Sequence, residues 1–239
     1  MEQDKSTKQV TKHPSLGEGL GRPIIICVGR QLGSGGHDIA RMLALDFNAK
    51  YYDRELLNLA AKESGFSEKI FEQNDEKKGI FKGLFNLGAP HVNSGNVYNS
   101  SFSQESLFKF QGDAIMKAAD EGSCVFVGRC ADYILRERED VVSVFITASM
   151  EFRIQQVMAK QKLDFTAARK FIEQRESKRA AYYNYYTGKK WGAAESYDLC
   201  IDASVLGLQA TEKLIADFIR KRFSLTSHHS PLTSHPSPL

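Results

Sequence analysis

Residues Ile24-Ile25-Ile26-Cys27-Val28 form an unbroken apolar, largely β-branched run that gives way at once to Gly29-Arg30-Gln31-Leu32-Gly33-Ser34-Gly35-Gly36 and then to a helical pattern. A strand without polar alternation is buried on both faces, which is the condition of a parallel sheet covered by helices. A glycine turn between such a strand and a helix presents free backbone N–H groups to an anion, and the positive end of the helix adds to the attraction. Gly29, Gly33, Gly35 and Gly36 are more glycine than a tight turn requires, so the segment reads as a phosphate cradle. Set against G-x-x-x-x-G-K-[ST], it lacks two groups that phosphate chemistry uses. Gly36 stands where the lysine that reaches the β/γ-phosphates would be, and His37 stands where the Mg²⁺-binding hydroxyl would be.

The rest of the chain alternates in the same way. Strand-like runs cover 24–28, 50–52, 123–127, 141–146 and 198–201, and helical periods cover about 37–47, 53–63, 105–120, 149–161, 165–187 and 208–222. An α/β fold with helices on both faces of a parallel sheet follows, and its ligands are expected beyond the carboxyl ends of the strands. The 239 residues suit one domain over 22–223. A polar leader (1–21) and a Ser/Thr/His/Pro tail (224–239) are expected to be disordered, and 79–104 reads as an irregular insertion. A net charge of +3 gives no reason to expect nucleic acid or membrane as a partner, and no apolar stretch reaches membrane-spanning length. The four cysteines lack C-x-x-C spacing and read as free thiols, which suits a reducing cytoplasm.

Three more segments fall at strand ends. Asp53, after Tyr51-Tyr52, suits either a helix N-cap or a residue facing an acceptor. It also lies where a dinucleotide fold keeps its ribose-binding acid, although G-x-G-x-x-G is broken by Asp38 at its sixth position. Gly128-Arg129, at the end of 123–127, throws a guanidinium over the sheet edge, a geometry suited to bidentate phosphate recognition. The basic helix carrying Arg169, Lys170, Arg175, Lys178 and Arg179 runs into Tyr182-Tyr183-Asn184-Tyr185-Tyr186, which reads as a cationic lid over 162–192 or as ordinary aromatic packing.

These segments, in this order, resemble the cytidylate kinase-like family, relatives of the nucleoside-monophosphate kinases. The resemblance is carried by Gly29-Arg30-Gln31-x-Gly33-Ser34-Gly35-Gly36, Tyr51-Tyr52-Asp53, Val127-Gly128-Arg129-Cys130-Ala131-Asp132, Lys178-Arg179-Ala180-x-Tyr182-Tyr183 through Thr187-Gly188-x-x-Trp191-Gly192, and Tyr197-Asp198-Leu199 with Ile201-Asp202. It implies a P-loop kinase-like three-layer αβα sandwich, a five-stranded parallel sheet in order 2-3-1-4-5 and a helical lid. It also implies phosphoryl transfer from ATP with Mg²⁺ to a nucleoside monophosphate, CMP or dCMP being the first candidate.

By the same resemblance Gly33, Ser34, Gly35, Gly36, His37 and Asp38 form the nucleotide-binding segment. Arg129 grips the acceptor phosphate, with Asp53 and Glu176 on the acceptor side, and Arg153, Arg175 and Arg179 close over the transferring group. Arg30, Arg175 or Arg179 takes over the charge of the absent lysine, and Asp38 holds the metal. Two other readings stay open: a nucleotide-binding regulatory protein without turnover, and a kinase of a non-nucleotide small molecule. Self-association is left undecided.

Overall fold

A computed structural model describes residues 23–53 and 97–227; the helix expected at 53–63, most of the 79–104 insertion, the leader and most of the tail lie outside them. Five strands, β1 (Ile25–Arg30), β2 (Lys50–Tyr52), β3 (Cys124–Val127), β4 (Val141–Thr147) and β5 (Leu199–Asp202), form one parallel sheet in the order β2-β3-β1-β4-β5. The central strand β1 pairs Ile25 with Cys124 on one side and with Val141 on the other, so Arg30 and Val127-Gly128 emerge side by side at the same edge.

The helices are α1 (Gly36–Asp46), α2 (Val97–Asp120), α3 (Ala131–Ile134), α4 (Met150–Gln161), α5 (Phe165–Thr187), α6 (Ala203–Leu206) and α7 (Leu208–Ser227), with a 3₁₀ turn at Ala194–Ser196. Helix α2 begins at Val97, inside the stretch read from sequence as irregular, and α7 continues past the boundary expected at 223. Helices α1 and α4 fall close to their periods and α5 matches 165–187, whereas the short α3 and α6 were not expected from the sequence.

The period-two alternation of the strands sorts the core into two layers. Ile24, Ile26, Val28, Val125, Val127, Val142, Val144 and Ile146 face Ile39 and Leu43 of α1 and Ile215, Ile219 and Phe223 of α7. Ile25, Cys27, Cys124, Phe126 and Val141 face Ile115, Ala118 and Ala119 of α2 and the α3 turn. A third, smaller cluster of Ile154, Val157, Ala168 and Ile172 joins α4 to α5 beyond the sheet. Ser149 and Asp164 cap these two helices, accepting from the N–H groups of Phe152 and Ala167 at 3.3 and 2.8 Å. The α4–α5 arm therefore has its own core and stands over the carboxyl edge of the sheet.

Candidate functional site

The turn between β1 and α1 is held from outside. The side-chain oxygen of Gln31 accepts from the Thr147 hydroxyl and from the N–H of Ala148 (3.2 Å), which ties the turn to the end of β4. Both peptide groups of Leu32 are taken by the α4–α5 arm: Arg153 Nε donates to its carbonyl at 2.9 Å, and its N–H donates to Glu176 Oε1 at 3.0 Å. Arg153 and Glu176 also pair with each other at 2.6 Å, with the Arg153 side chain only 4% exposed. The buried Ser34 hydroxyl donates to the Gln31 carbonyl at 2.9 Å. Gly35 takes φ +79°, a left-handed conformation that admits glycine readily, and turns the chain into α1. After these bonds the N–H groups of Gly33, Gly35, Gly36 and His37 have no partner among the described residues. They are the donors an anion would find at the start of α1.

Arg30 runs alongside this turn. A Cβ built on Gly36 would lie 2.5 Å from Arg30 Cβ and 2.9 Å from its Cγ, and one built on Gly128 would lie 2.5 Å from Nη1. The arginine side chain thus passes through space that two glycines leave open, and a lysine at position 36 could not share it. Arg30 Nη2 donates to His37 Nε2 at 3.0 Å, His37 Nδ1 lies 3.0 Å from the Tyr51 hydroxyl, and Arg30 Nε is buried without a partner among the described residues. Among the described residues Arg30 belongs to no ion pair. Burial and then the Arg179 charge lower its pKa to about 9, with Arg129 adding to the shift and Tyr51 and Asp53 opposing it. Burial and the Arg30 charge also push His37 down to about 4, so its imidazole is neutral at pH 7.

The other sequence-predicted residues gather around this arginine. Arg179 Nη1 donates to the Arg30 carbonyl at 3.2 Å, and burial lowers its pKa although Glu176 opposes the shift. Arg129 lies over the Tyr182 ring, 5.6 Å from its centroid, and Arg175 lies over Phe171 at 5.0 Å. Gly128, Arg129 and Cys130 take φ values of +76°, +59° and +57° in succession. Two non-glycine residues in that region store backbone strain at the point where the strand hands over its arginine. Asp53 ends β2 within electrostatic reach of Arg30 and His37. Asp38, in the first turn of α1, meets Lys160 Nζ at 3.4 Å. Among the described residues no three His, Cys, Asp or Glu side chains converge to hold a metal.

A cavity of about 310 Å³ separates the turn and α1 from the α4–α5 arm; Arg30, Gly36, Asp38, Arg41, Lys160, Phe171 and Arg179 are among its lining residues. Arg153 and Glu176 reach the turn, where they spend their polar atoms on Leu32 and on one another; Arg175 lies over Phe171 and is not among the residues lining the cavity. Lys160 and Arg41 were not singled out from the sequence, because each is an ordinary cation on a helix surface until the arm folds back. Tyr51 stood in a quoted motif, yet only the fold gives it His37 as a neighbour. Two other motifs meet directly: Tyr183 of the aromatic run donates to Asp132 of the Gly128–Asp132 segment at 2.6 Å, anchoring α5 to the end of β3. The remaining aromatics pack, with Phe145 against Trp191 and Tyr197 and with Phe108 stacked on Tyr186.

The sheet order and the glycine turn at the end of its central strand are those of a kinase-like P-loop α/β fold. The sequence profile of the cytidylate kinase-like family matches residues 25–205. The chain belongs to the cytidylate kinase-like family. Among solved structures, an uncharacterized protein from Eubacterium ventriosum is 27% identical, with 84% of this chain and 99% of that one covered and a TM-score of 0.64. A shikimate kinase from Bacteroides thetaiotaomicron is 11% identical over 82% of this chain and 98% of that one, with a TM-score of 0.46. A shikimate kinase from Acinetobacter baumannii in complex with shikimate is 12% identical over 90% and 99%, also with a TM-score of 0.46. No curated protein matches. No helix of the described residues is long and apolar enough to cross a membrane.

Proposed function

We propose that this family member is an ATP- and Mg²⁺-dependent phosphotransferase of nucleoside-monophosphate kinase type, with CMP or dCMP as the first acceptor to test. The observation that carries the reading is the Arg30 side chain, its stem passing Gly36 and its guanidinium Gly128, beside a turn in which the N–H groups of Gly33, Gly35, Gly36 and His37 have no partner among the described residues. The buried, unpartnered Arg30 Nε and those N–H groups fit a phosphate chain. ATP supplies the phosphoryl group, and Mg²⁺ offsets charge on its phosphate oxygens.

The chain's own part is positioning and charge. Gly33, Gly35, Gly36 and His37 hold phosphate through their backbone, while Arg30 replaces the lysine as the cation facing charge that develops during transfer. Arg129 grips the acceptor phosphate at the mouth of β3, and Arg175 and Arg179 add positive charge from α5. Asp53 faces the acceptor from β2, and Asp38 is the carboxylate offered to Mg²⁺. Arg153 and Glu176 keep the Leu32 peptide in place. No general base is needed when the acceptor is already a phosphate oxygen, which agrees with a His37 committed to Arg30 and Tyr51.

The test is product formation. Purified protein with ATP, Mg²⁺ and a panel of nucleoside monophosphates is expected to yield a diphosphate, most rapidly from CMP or dCMP. An Arg30→Met variant is expected to yield about a hundredth as much. If ATP binds but no monophosphate is converted, transfer to nucleotides is ruled out.

A further inference from the structure

Replacing a lysine that grows from the turn itself by an arginine from the preceding strand creates a positioning problem. The turn's own lysine would be aimed by α1. Arg30 leaves β1 on the far side of the turn and must be bent into the cradle by something else. Its stem is confined by the absent Cβ atoms of Gly36 and Gly128, and steric walls limit where a guanidinium goes without fixing its rotation. Among the described residues no carboxylate pairs with it, and its side chain makes one hydrogen bond, to His37.

Donor and acceptor chemistry then assigns the whole chain of bonds. Arginine can only donate, so His37 Nε2 must accept and the ring carries its single proton on Nδ1. That proton is donated to the Tyr51 oxygen 3.0 Å away, at the end of β2. The imidazole is thereby fixed at both nitrogens, between a cation it orients and a hydroxyl that orients it. We propose that His37 is the positioning residue for Arg30, aiming its guanidinium into the cradle through a Tyr51–His37–Arg30 relay, so that the relay does the aiming a lysine at position 36 would need no help with. The inference rests on the phosphotransfer reading and adds to it the device that makes the substitute cation usable.

A double-mutant cycle on the full chain tests it, with His37→Leu, His37→Gln, Arg30→Met and the Arg30→Met/His37→Leu pair. Two readouts are used: inorganic tripolyphosphate affinity by calorimetry, and kcat and KM for ATP. His37→Leu is expected to lower kcat about 10-fold or more with a smaller change in KM, and His37→Gln, whose side-chain oxygen can again accept from Arg30, to restore most of it. In the Arg30→Met background His37→Leu is expected to cost nothing further, because its partner is gone. Equal losses in both backgrounds, or a His37→Gln variant no better than His37→Leu, would overturn the relay. Melting curves of the four variants identify any that fail to fold, and His37→Gln then decides alone against wild type. Failure of wild type to bind tripolyphosphate would instead bring down the phosphotransfer reading itself and the relay with it. Tripolyphosphate binding that persists while the His37 and Arg30 losses simply add removes the relay alone.

Discussion

The two edges of the sheet treat the same kinds of charge in opposite ways. At the edge where the strands begin, cations meet carboxylates. Arg138 pairs with Asp140 at 2.8 Å and with Asp120 at 2.6 Å, Lys50 with Glu121 at 3.0 Å, and Arg222 with Asp198 at 2.6 Å. At the edge where the strands end, Arg30, Arg129 and Arg179 crowd together, and the carboxylate of Glu176 is taken up by Arg153 and Leu32. Arg138 is raised above the ordinary arginine range, first by its bond to Asp140, whereas Arg30 is lowered, first by burial and then by its cationic neighbours. At the first edge each of these cations is matched by a carboxylate. The second is a site where positive charge is stored at a cost to the fold, which is what an anion-binding surface requires.

The sharpest way to break this comparison is to remove a cation from each edge. Arg30→Met should lower phosphotransfer about 100-fold or more, the scale of losing a donor aimed at developing charge. It should do so without lowering the melting temperature, because the charge it removes is buried and repelled. A melting curve collected alongside single-turnover kinetics checks both halves, and a large drop in melting temperature would mean that Arg30 is part of the frame. Arg129→Gly should cost the acceptor's kcat/KM about 10-fold or more. Its melting temperature should be no lower than wild type's, since glycine relieves the φ of +59°.

Ligand binding sharpens the contrast from the other direction. Tripolyphosphate at about 100 times its dissociation constant should stabilise the protein by about 2.7 kcal/mol, read as a rise in melting temperature that shrinks with added salt. Arg30→Met should abolish most of that rise, whereas a substitution at the paired edge such as Arg222→Met should leave it in place.

At the paired edge the expected effects are on stability and pH. Asp198 accepts from the Ser143 N–H at 2.8 Å and from its hydroxyl at 2.9 Å, and it pairs with Arg222. Burial works to raise its pKa, but the Ser143 and Arg222 bonds outweigh that and hold the carboxyl below the usual carboxylate range. A folded pKa below the unfolded one means stability that is present above the unfolded value and lost as pH falls through the folded one. Asp198→Asn should therefore cost about 2 kcal/mol in urea unfolding at pH 7, and the gap to wild type should close below about pH 4. A gap that stays constant with pH would assign the effect to packing. The smallest effect is expected from Lys50→Ala: both partners of that exposed pair are open to water, and its melting temperature should not move measurably.

How much of this was legible in the chain differs between the two edges and the site. The apolar runs and their alternation specify which strands are central and which face of each meets which helix layer, because side-chain direction in a strand follows from position alone. The glycine turn was legible for a similarly local reason: its N–H groups are backbone, and the glycines let the chain turn tightly into α1. The segments Gly128–Asp132 and Tyr182–Tyr183 could be picked out as a pair, but that Asp132 and Tyr183 bond to each other is a fact of the fold.

The sequence by itself therefore determined the α/β layering and the glycine turn at the end of the central strand, since each rests on local periodicity or backbone freedom. Tertiary structure alone decided which arginine lies against the turn. Arg30 can enter the cradle only because β1 and β3 are neighbours, which sets Gly128 beside Gly36 and leaves both Cβ positions empty for its side chain. It also decided that Arg153 and Glu176 support the turn rather than face the cavity, through the small core that folds α4 and α5 back over Leu32. Long charged side chains reach several residues in every direction, so their partners are set by which elements pack together, and no local pattern records that.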